Sequence, residues 1–144
     1  MKIAIINGPN LNLLGKREPE IYGNRSFEEY FEALVHKYPQ LDLSYFQSNG
    51  EGELVSQLHT VGFEVDGILI NAGSYTHTSV AIGDALSAIP SPALEIHISN
   101  IYKREAFRHK SFLSSQCVGQ IAGLGLLGYD LGLQYFIEKE NSNQ

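Results

Sequence analysis

Cysteine is almost missing from this chain of 144 residues. Cys117 stands alone, so no internal disulfide can form and no cysteine cluster can hold zinc or an iron–sulfur centre. Positive charge is scarce as well. Lys and Arg total 10 against 16 Asp and Glu, a net charge of −6. The only arginines are Arg17, Arg25, Arg104 and Arg108. That balance repels nucleic acid and anionic membranes, so neither is expected as a partner. It does not exclude a small anionic substrate, which answers to the charge around one site. No apolar run approaches the ~20 residues of a membrane span. The opening Met1-Lys2-Ile3-Ala4-Ile5-Ile6-Asn7 is too short for a signal-peptide core. A soluble, cytoplasmic protein is expected.

What is present describes one folded unit. Hydrophobic residues make up 43% and charged residues 18%, outside the range of disordered chains. A chain of this size can bury about 68–70% of its unfolded surface, enough for a single domain over residues 1–144. Repeats, low-complexity tracts and linkers are absent. Short apolar runs recur at residues 3–6, 41–46, 67–70, 93–98 and 117–122, bounded by Asn, Gly, Pro or Ser. They read as strands buried on both faces. Between them, Phe27, Tyr30, Phe31, Leu34, Val35 and Tyr38 mark one helical stripe, with Ser26 and Glu29 as a capping box. Leu54, Val55, Leu58 and Val61 mark a second, and Val80, Ala81, Asp84, Ala85 and Ile89 a third. A last helix is predicted over residues 129–138, with a frayed tail at 141–144. Strands alternating with helices imply a three-layer α/β, flavodoxin-like fold: a five-stranded parallel sheet, order 2-1-3-4-5, with helices on both faces.

That topology places a ligand beyond the carboxyl ends of the strands, where strand order reverses. The loops at residues 7–25, 71–78 and 97–111 are therefore the ones to inspect. In the first, Tyr22 follows Arg17 by five residues. Tyrosine has an ordinary pKa of about 10, and a cation within ~4–6 Å lowers an acid's pKa by about 1–3 units, so the pair suits a base. A half-buried packing aromatic is the other account, and spacing does not choose. In the second, Gly73 sits at the turn, and Thr76, Thr78 or Ser79 can cap the following helix, whose amino end favours an anion. In the third, Glu95, His97 and Ser99 share one side of a strand. A carboxylate two residues before a histidine can orient the ring for proton transfer. A purely structural pair competes, and the strand-end position favours catalysis. Arg104 and Arg108 share a face if their segment is helical, which needs an anion or acidic side chain between them.

Two features are set aside. Gly123-Leu124-Gly125-Leu126-Leu127-Gly128 matches the dinucleotide fingerprint by letter, but it follows the last strand, with no further strand and no acid about 20 residues on. Its glycines are expected to allow tight strand-to-helix packing. His36 and His59 lie on helical stripes and do not make a metal site. No metal or cofactor is expected.

Taken in order, several segments resemble the type II dehydroquinases, the 3-dehydroquinate dehydratases. The carriers are Asn7-Gly8-Pro9-Asn10-Leu11-Asn12-Leu13-Leu14-Gly15 with Arg17 and Tyr22-Gly23, then Gln47-Ser48-Asn49 with Glu51-Gly52-Glu53-Leu54. Asn71-Ala72-Gly73, Tyr75-Thr76-His77-Thr78-Ser79, Glu95-Ile96-His97-Ile98-Ser99-Asn100 and Phe107-Arg108-His109 follow. The resemblance spans residues 3–132. It implies a cofactor-free anti elimination of water from 3-dehydroquinate through an enolate, giving 3-dehydroshikimate. It implies Tyr22 as the base with Arg17 beside it, Asn12 holding the water at the enolate oxygen, and His97 as general acid oriented by Glu95. Asn71, Ser99 and the Ile98 backbone would bind the substrate carboxylate, and His77 and Arg108 the ring hydroxyls. Asp84 would reach a neighbouring subunit's site in a dodecamer of trimers, and Arg104 would take a lesser part. Gly83 stands where the family usually has Arg, Tyr102 and Lys103 depart from its usual pattern, and Gln120 replaces a usual apolar residue.

The alternative class is a non-catalytic flavodoxin-like binding module or oligomeric scaffold. A flavin-phosphate loop should be rich in Ser and Thr after the first strand, where this chain is rich in Asn and Leu. A phospho-receiver should carry an acid where Asn71 stands. Both lose on those residues.

Overall fold

The computed structural model describes residues 1–16, 19–22 and 24–143, with the backbone alone for Ile21 and Tyr22. Five strands, β1 (Lys2–Asn7), β2 (Asp42–Gln47), β3 (Gly67–Asn71), β4 (Ala93–His97) and β5 (Gly119–Ala122), form one sheet in the order β2-β1-β3-β4-β5. Every pairing is parallel. The helices are α1 (Pro19–Tyr22), α2 (Phe27–Lys37), α3 (Glu51–Val61), α4 (Val80–Ala88) and α5 (Leu127–Ser142). This is the predicted flavodoxin-like α/β architecture.

The period-2 geometry of the strands divides the core into two layers. Ile3, Ile5, Leu69, Leu94 and Ile96 pack with Phe27, Tyr30 and Leu34 of α2 and Tyr129, Leu133 and Phe136 of α5. Ala4, Ile6, Ile68 and Ile70 point the other way, onto Leu54, Leu58 and Val61 of α3 and Ile82, Ala85 and Leu86 of α4. Each large apolar side chain buried this way contributes about 1.5–3 kcal/mol of transfer free energy, so the sheet is fixed from both sides. Helix starts are set locally. Ser26 accepts from the Glu29 amide at 3.1 Å, and Ser79 accepts from the Ile82 amide at 2.9 Å. Of the three candidates before α4, Ser79 is thus the cap.

Some boundaries differ from the sequence pattern. The last helix begins at Leu127 and runs through Ser142, so Asn141 and Ser142 are helical rather than a loose tail. Residues 104–108 are not one helix. Arg104 and Glu105 link two 3-10 turns, Ile101–Lys103 and Ala106–His109, and Arg108 lies in the second. Gly123 and Gly125 adopt left-handed φ values of 89° and 65°. Their use is the sharp turn from β5 into α5, a conformation open to glycine at little cost.

Candidate active site

Because β1 pairs with β2 on one side and β3 on the other, the chain leaves β1 in one direction and returns in the other. The loops leaving β1 and β3 therefore part at their carboxyl ends and open a crevice. A cleft of about 170 Å³ occupies this crevice. Pro9, Leu11, Leu13 and Leu14 form an apolar wall from the first loop, facing Asn71 and His77 from the β3 side. His97, Ile98, Ser99, Arg104 and Arg108 close it from β4 and beyond. Three loops far apart in sequence meet because their strands are neighbours.

Asn71, at the end of β3, is buried and held rigidly. Its Nδ2 donates to the Tyr129 hydroxyl at 3.0 Å, and its Oδ1 accepts from the Gly73 amide at 3.1 Å. His77 sits on the 3-10 turn Gly73–His77, its Nδ1 2.8 Å from the Lys110 carbonyl. A carbonyl only accepts, so Nδ1 carries the proton and Nε2 is the free acceptor. Burial above all lowers the basicity of His77 from its ordinary 6.5, and the charges of His97 and Arg108 act the same way. The Lys110 carbonyl and Glu95 oppose them. A neutral imidazole results, suited to accepting a hydrogen bond from a hydroxyl.

The rings of His77 and His97 stack with centroids 6.3 Å apart. His97 Nε2 donates to the Glu95 carboxylate, which is fully buried. That bond leaves Nδ1 as the ring nitrogen available for chemistry. Burial pushes the Glu95 carboxyl upward, but hydrogen bonds from His97, Ser114 and Gln120 and the charge of His97 outweigh it. The net result holds Glu95 below its ordinary 4.5 and therefore ionised. A buried carboxylate beside a histidine at a cleft wall is the arrangement of a tuned proton donor.

Arg104 and Arg108 bring positive charge to the cleft beside Ser99. Glu105 stands between them, 3.0 Å from Arg108 Nε and 3.9 Å from Arg104 Nε, which relieves their repulsion. Arg104 Nη1 also donates to Ser99 Oγ at 3.2 Å. The cleft thus offers hydroxyl, imidazole, carboxamide and guanidinium groups to a small polar anion, and a proton donor beside them.

Sequence and fold comparisons agree on the relatives of this arrangement. A profile of the family Dehydroquinase class II matches residues 1–137. The chain belongs to the class II dehydroquinases. A 3-dehydroquinate dehydratase from an Exiguobacterium species is 49% identical over 139 residues, covering 96% of this chain and 95% of the relative. One from Carboxydothermus hydrogenoformans is 51% identical over 140 residues, covering 96% and 91%. The crystal structure of type II dehydroquinase from Butyrivibrio crossotus superposes with a TM-score of 0.88 at 44% identity, covering 94% of this chain and 97% of that one.

Within this class II dehydroquinase, the predicted residues divide into three groups. Asn71, His77, His97, Ile98, Ser99 and Arg108 line the cleft, with Glu95 directly behind His97. Arg104, given a lesser part by the sequence pattern, lines it too. Asn12 does not line it. It is exposed on the 3-10 turn Leu11–Leu13, between two residues that do, its Oδ1 3.5 Å from Gln47 Nε2. Asp84 is exposed on α4 and takes no part in the lining. Arg17 lies outside the described residues, as does the side chain of Tyr22, whose backbone ends α1. The sequence pattern missed the groups around Glu95 (Ser111, Ser114 and Gln120) as well as Tyr129 behind Asn71. The available signal was Gln120 itself, a polar residue in a strand whose register sets it opposite Glu95.

Proposed function

We propose that the cleft at the β1–β3 switch point eliminates water from 3-dehydroquinate to give 3-dehydroshikimate, the hydro-lyase reaction of the shikimate route to aromatic amino acids or of quinate breakdown. The observation that carries this assignment is the buried Glu95–His97 pair at the wall of a cleft in a class II dehydroquinase. His97, oriented by Glu95, protonates the departing hydroxyl. Tyr22, ionised under the influence of Arg17, removes the proton beside the ketone. Asn12 holds the water that stabilises the enolate oxygen, where charge develops. Asn71, Ser99 and the Ile98 amide hold the substrate carboxylate. His77 accepts from a ring hydroxyl through Nε2, and Arg108 donates to another.

An enolate route with its own acid and base needs no cofactor and no covalent amine intermediate. Ultraviolet absorbance should therefore rise as the enone forms from 3-dehydroquinate and purified protein alone. His97→Ala and Tyr22→Phe should each lower kcat by at least about a hundredfold with circular dichroism unchanged, since general acid–base groups contribute roughly 10²–10⁴-fold. Full turnover in Tyr22→Phe overturns the base assignment. A lysine adduct trapped by borohydride with substrate overturns the enolate route. A well-folded protein with no activity returns the chain to the binding-module or scaffold reading.

The single domain over residues 1–144 works in the cytoplasm as a dodecamer built from trimers. Asp84 supports the assembly: it is exposed on α4 beside exposed Val80, outside the lining of its own chain's cleft, and so is free to complete another's. Sedimentation should give a twelve-chain mass, and Asp84→Ala should raise KM. A fully active monomer excludes that role.

A further inference from the structure

Glu95 receives hydrogen bonds from more than its histidine. Ser111 Oγ donates to both carboxylate oxygens at 3.1 Å, and Ser114 Oγ donates to Oε1 at 2.6 Å. Gln120 Nε2, on β5, donates to Oε2 at 3.1 Å and to Ser114 Oγ at 3.2 Å. The directions of these bonds are fixed by accounting. Ser111 Oγ accepts from the backbone amides of Leu113 and Ser114, both at 3.0 Å, so its own hydrogen turns to Glu95. Ser114 Oγ accepts from Gln120, so its hydrogen turns the same way. None of the three residues lines the cleft.

Resting on the assignment of His97 as the acid, we propose that Ser114 and Gln120 are positioning residues of the dehydration, whose hydrogen bonds to Glu95 set how firmly that carboxylate retains the His97 proton. The physical reason is competition for one charge. A carboxylate that already accepts from several donors has its electron density shared among them, and it binds the imidazole proton less tightly. Remove a donor, and Glu95 pulls harder on Nε2–H. The protonated ring becomes easier to keep and a poorer acid. The groups facing Glu95 are His97 on its own strand, His77 from the β3 loop, and Cys117 before β5. Burial and then Glu95 push the Cys117 thiol up to about 12, while His77 is lowered, burial leading. His97 is left as the partner whose proton the cradle governs.

The consequence is directional. His97 must be protonated to release hydroxide as water, so activity falls on the alkaline side as that proton is lost. Gln120→Met keeps the length of the side chain and removes both donors. It should move the alkaline limb of the kcat profile upward by about half to one pH unit. It should also lower kcat near neutrality by about three- to tenfold, with KM changed less than twofold. Ser114→Ala should do the same, and Ser114→Thr, which keeps the hydroxyl, should restore the native limb. An unmoved limb in Gln120→Met, or equal profiles for Ser114→Ala and Ser114→Thr, overturns the proposal and leaves the cradle a packing feature. Following the His97 ring signals by NMR in native protein and Gln120→Met needs no turnover. That titration therefore tests the cradle even if the native chain fails to dehydrate 3-dehydroquinate, an outcome that bears on the function alone. An identical midpoint in the two proteins counts against the cradle whether or not Ser114→Ala folds.

Discussion

Tyr129 is fully buried, and its hydroxyl stands between two carboxamides at the ends of neighbouring strands. It donates to Asn7 Oδ1 at 2.8 Å and accepts from Asn71 Nδ2 at 3.0 Å. Asn71 Oδ1 is taken by the Gly73 amide, so the carboxamide is clamped at both ends with one Nδ2 hydrogen to spare. Tyr129→Phe strips Asn7 of a donor and Asn71 of an acceptor. Leaving buried polar groups unpaired costs about 1–3 kcal/mol each, so the melting temperature should fall. If Asn71 binds the substrate carboxylate, KM should rise several-fold while kcat changes little, the signature of lost uniform binding. Steady-state kinetics beside a thermal melt separate the two effects, and an unchanged KM confines Tyr129 to stability. Residues of this kind were the hard ones to read. Asn71, His97 and Glu95 sit at strand ends within short motifs. Tyr129 lies 58 residues from Asn71, and only the packing of α5 on the sheet brings them together. Tyr129 served in the sequence pattern merely as the start of a helix.

Elements were more legible than contacts. Strand runs and helical stripes depend on periodicities of about 2 and 3.6 residues, which are written locally. Hence, among the described residues, all five strands and four of the five α-helices fall where the apolar pattern places them, within a few residues. The exception, α1, is four residues long and carries no stripe. What the pattern could not show is how tightly elements approach. Gly83 on α4 illustrates this: a Cβ there would lie 2.6 Å from the Phe112 carbonyl oxygen, closer than contact allows. Phe112 is also tied by its amide to the Thr76 carbonyl at 2.9 Å, so it cannot move away freely. The segment next to Ser111 is therefore pressed against α4. Gly52 on α3 is the natural comparison, since a Cβ there meets nothing within 4 Å. Alanine is favoured over glycine within a helix by about 1 kcal/mol. Gly52→Ala should accordingly raise the melting temperature by up to about 2–6 °C, and Gly83→Ala should lower it. If both variants melt higher, the α4–Phe112 approach is not a constraint.

At the scale of the whole molecule, scarce positive charge and a deep aromatic core decide how stability responds to pH. A net charge of −6 leaves few cations, and Arg104 and Arg108 stand at the cleft rather than spread over the surface. Alkali adds further negative charge, and the core resists taking it. Burial first, then the nearby charge of Asp130, raises Tyr30 from 10.0 to about 12. Tyr45 likewise rises from 10.0 to about 12, burial again leading, with the Asn7 carboxamide opposing. Burial raises Cys117 from 9.0 to about 12. Each group holds its proton more tightly folded than unfolded. Their contribution is complete below the unfolded values of 9.0 and 10.0 and is lost as pH climbs toward about 12, because the unfolded chain releases protons that the fold retains. Urea unfolding midpoints should thus hold level to about pH 9 and then fall. General repulsion between negative charges would give a similar decline, and Tyr45 distinguishes the causes. Its buried hydroxyl meets the geometry of no full hydrogen bond among the described residues, and the Asn7 carboxamide beside it is a weak partner, so Tyr45→Phe gives up little at neutral pH. It removes one of the buried titrating groups, so the decline from pH 10 to 12 should become measurably shallower. A slope identical to that of the native chain would assign the alkaline loss to surface repulsion instead of the aromatic core.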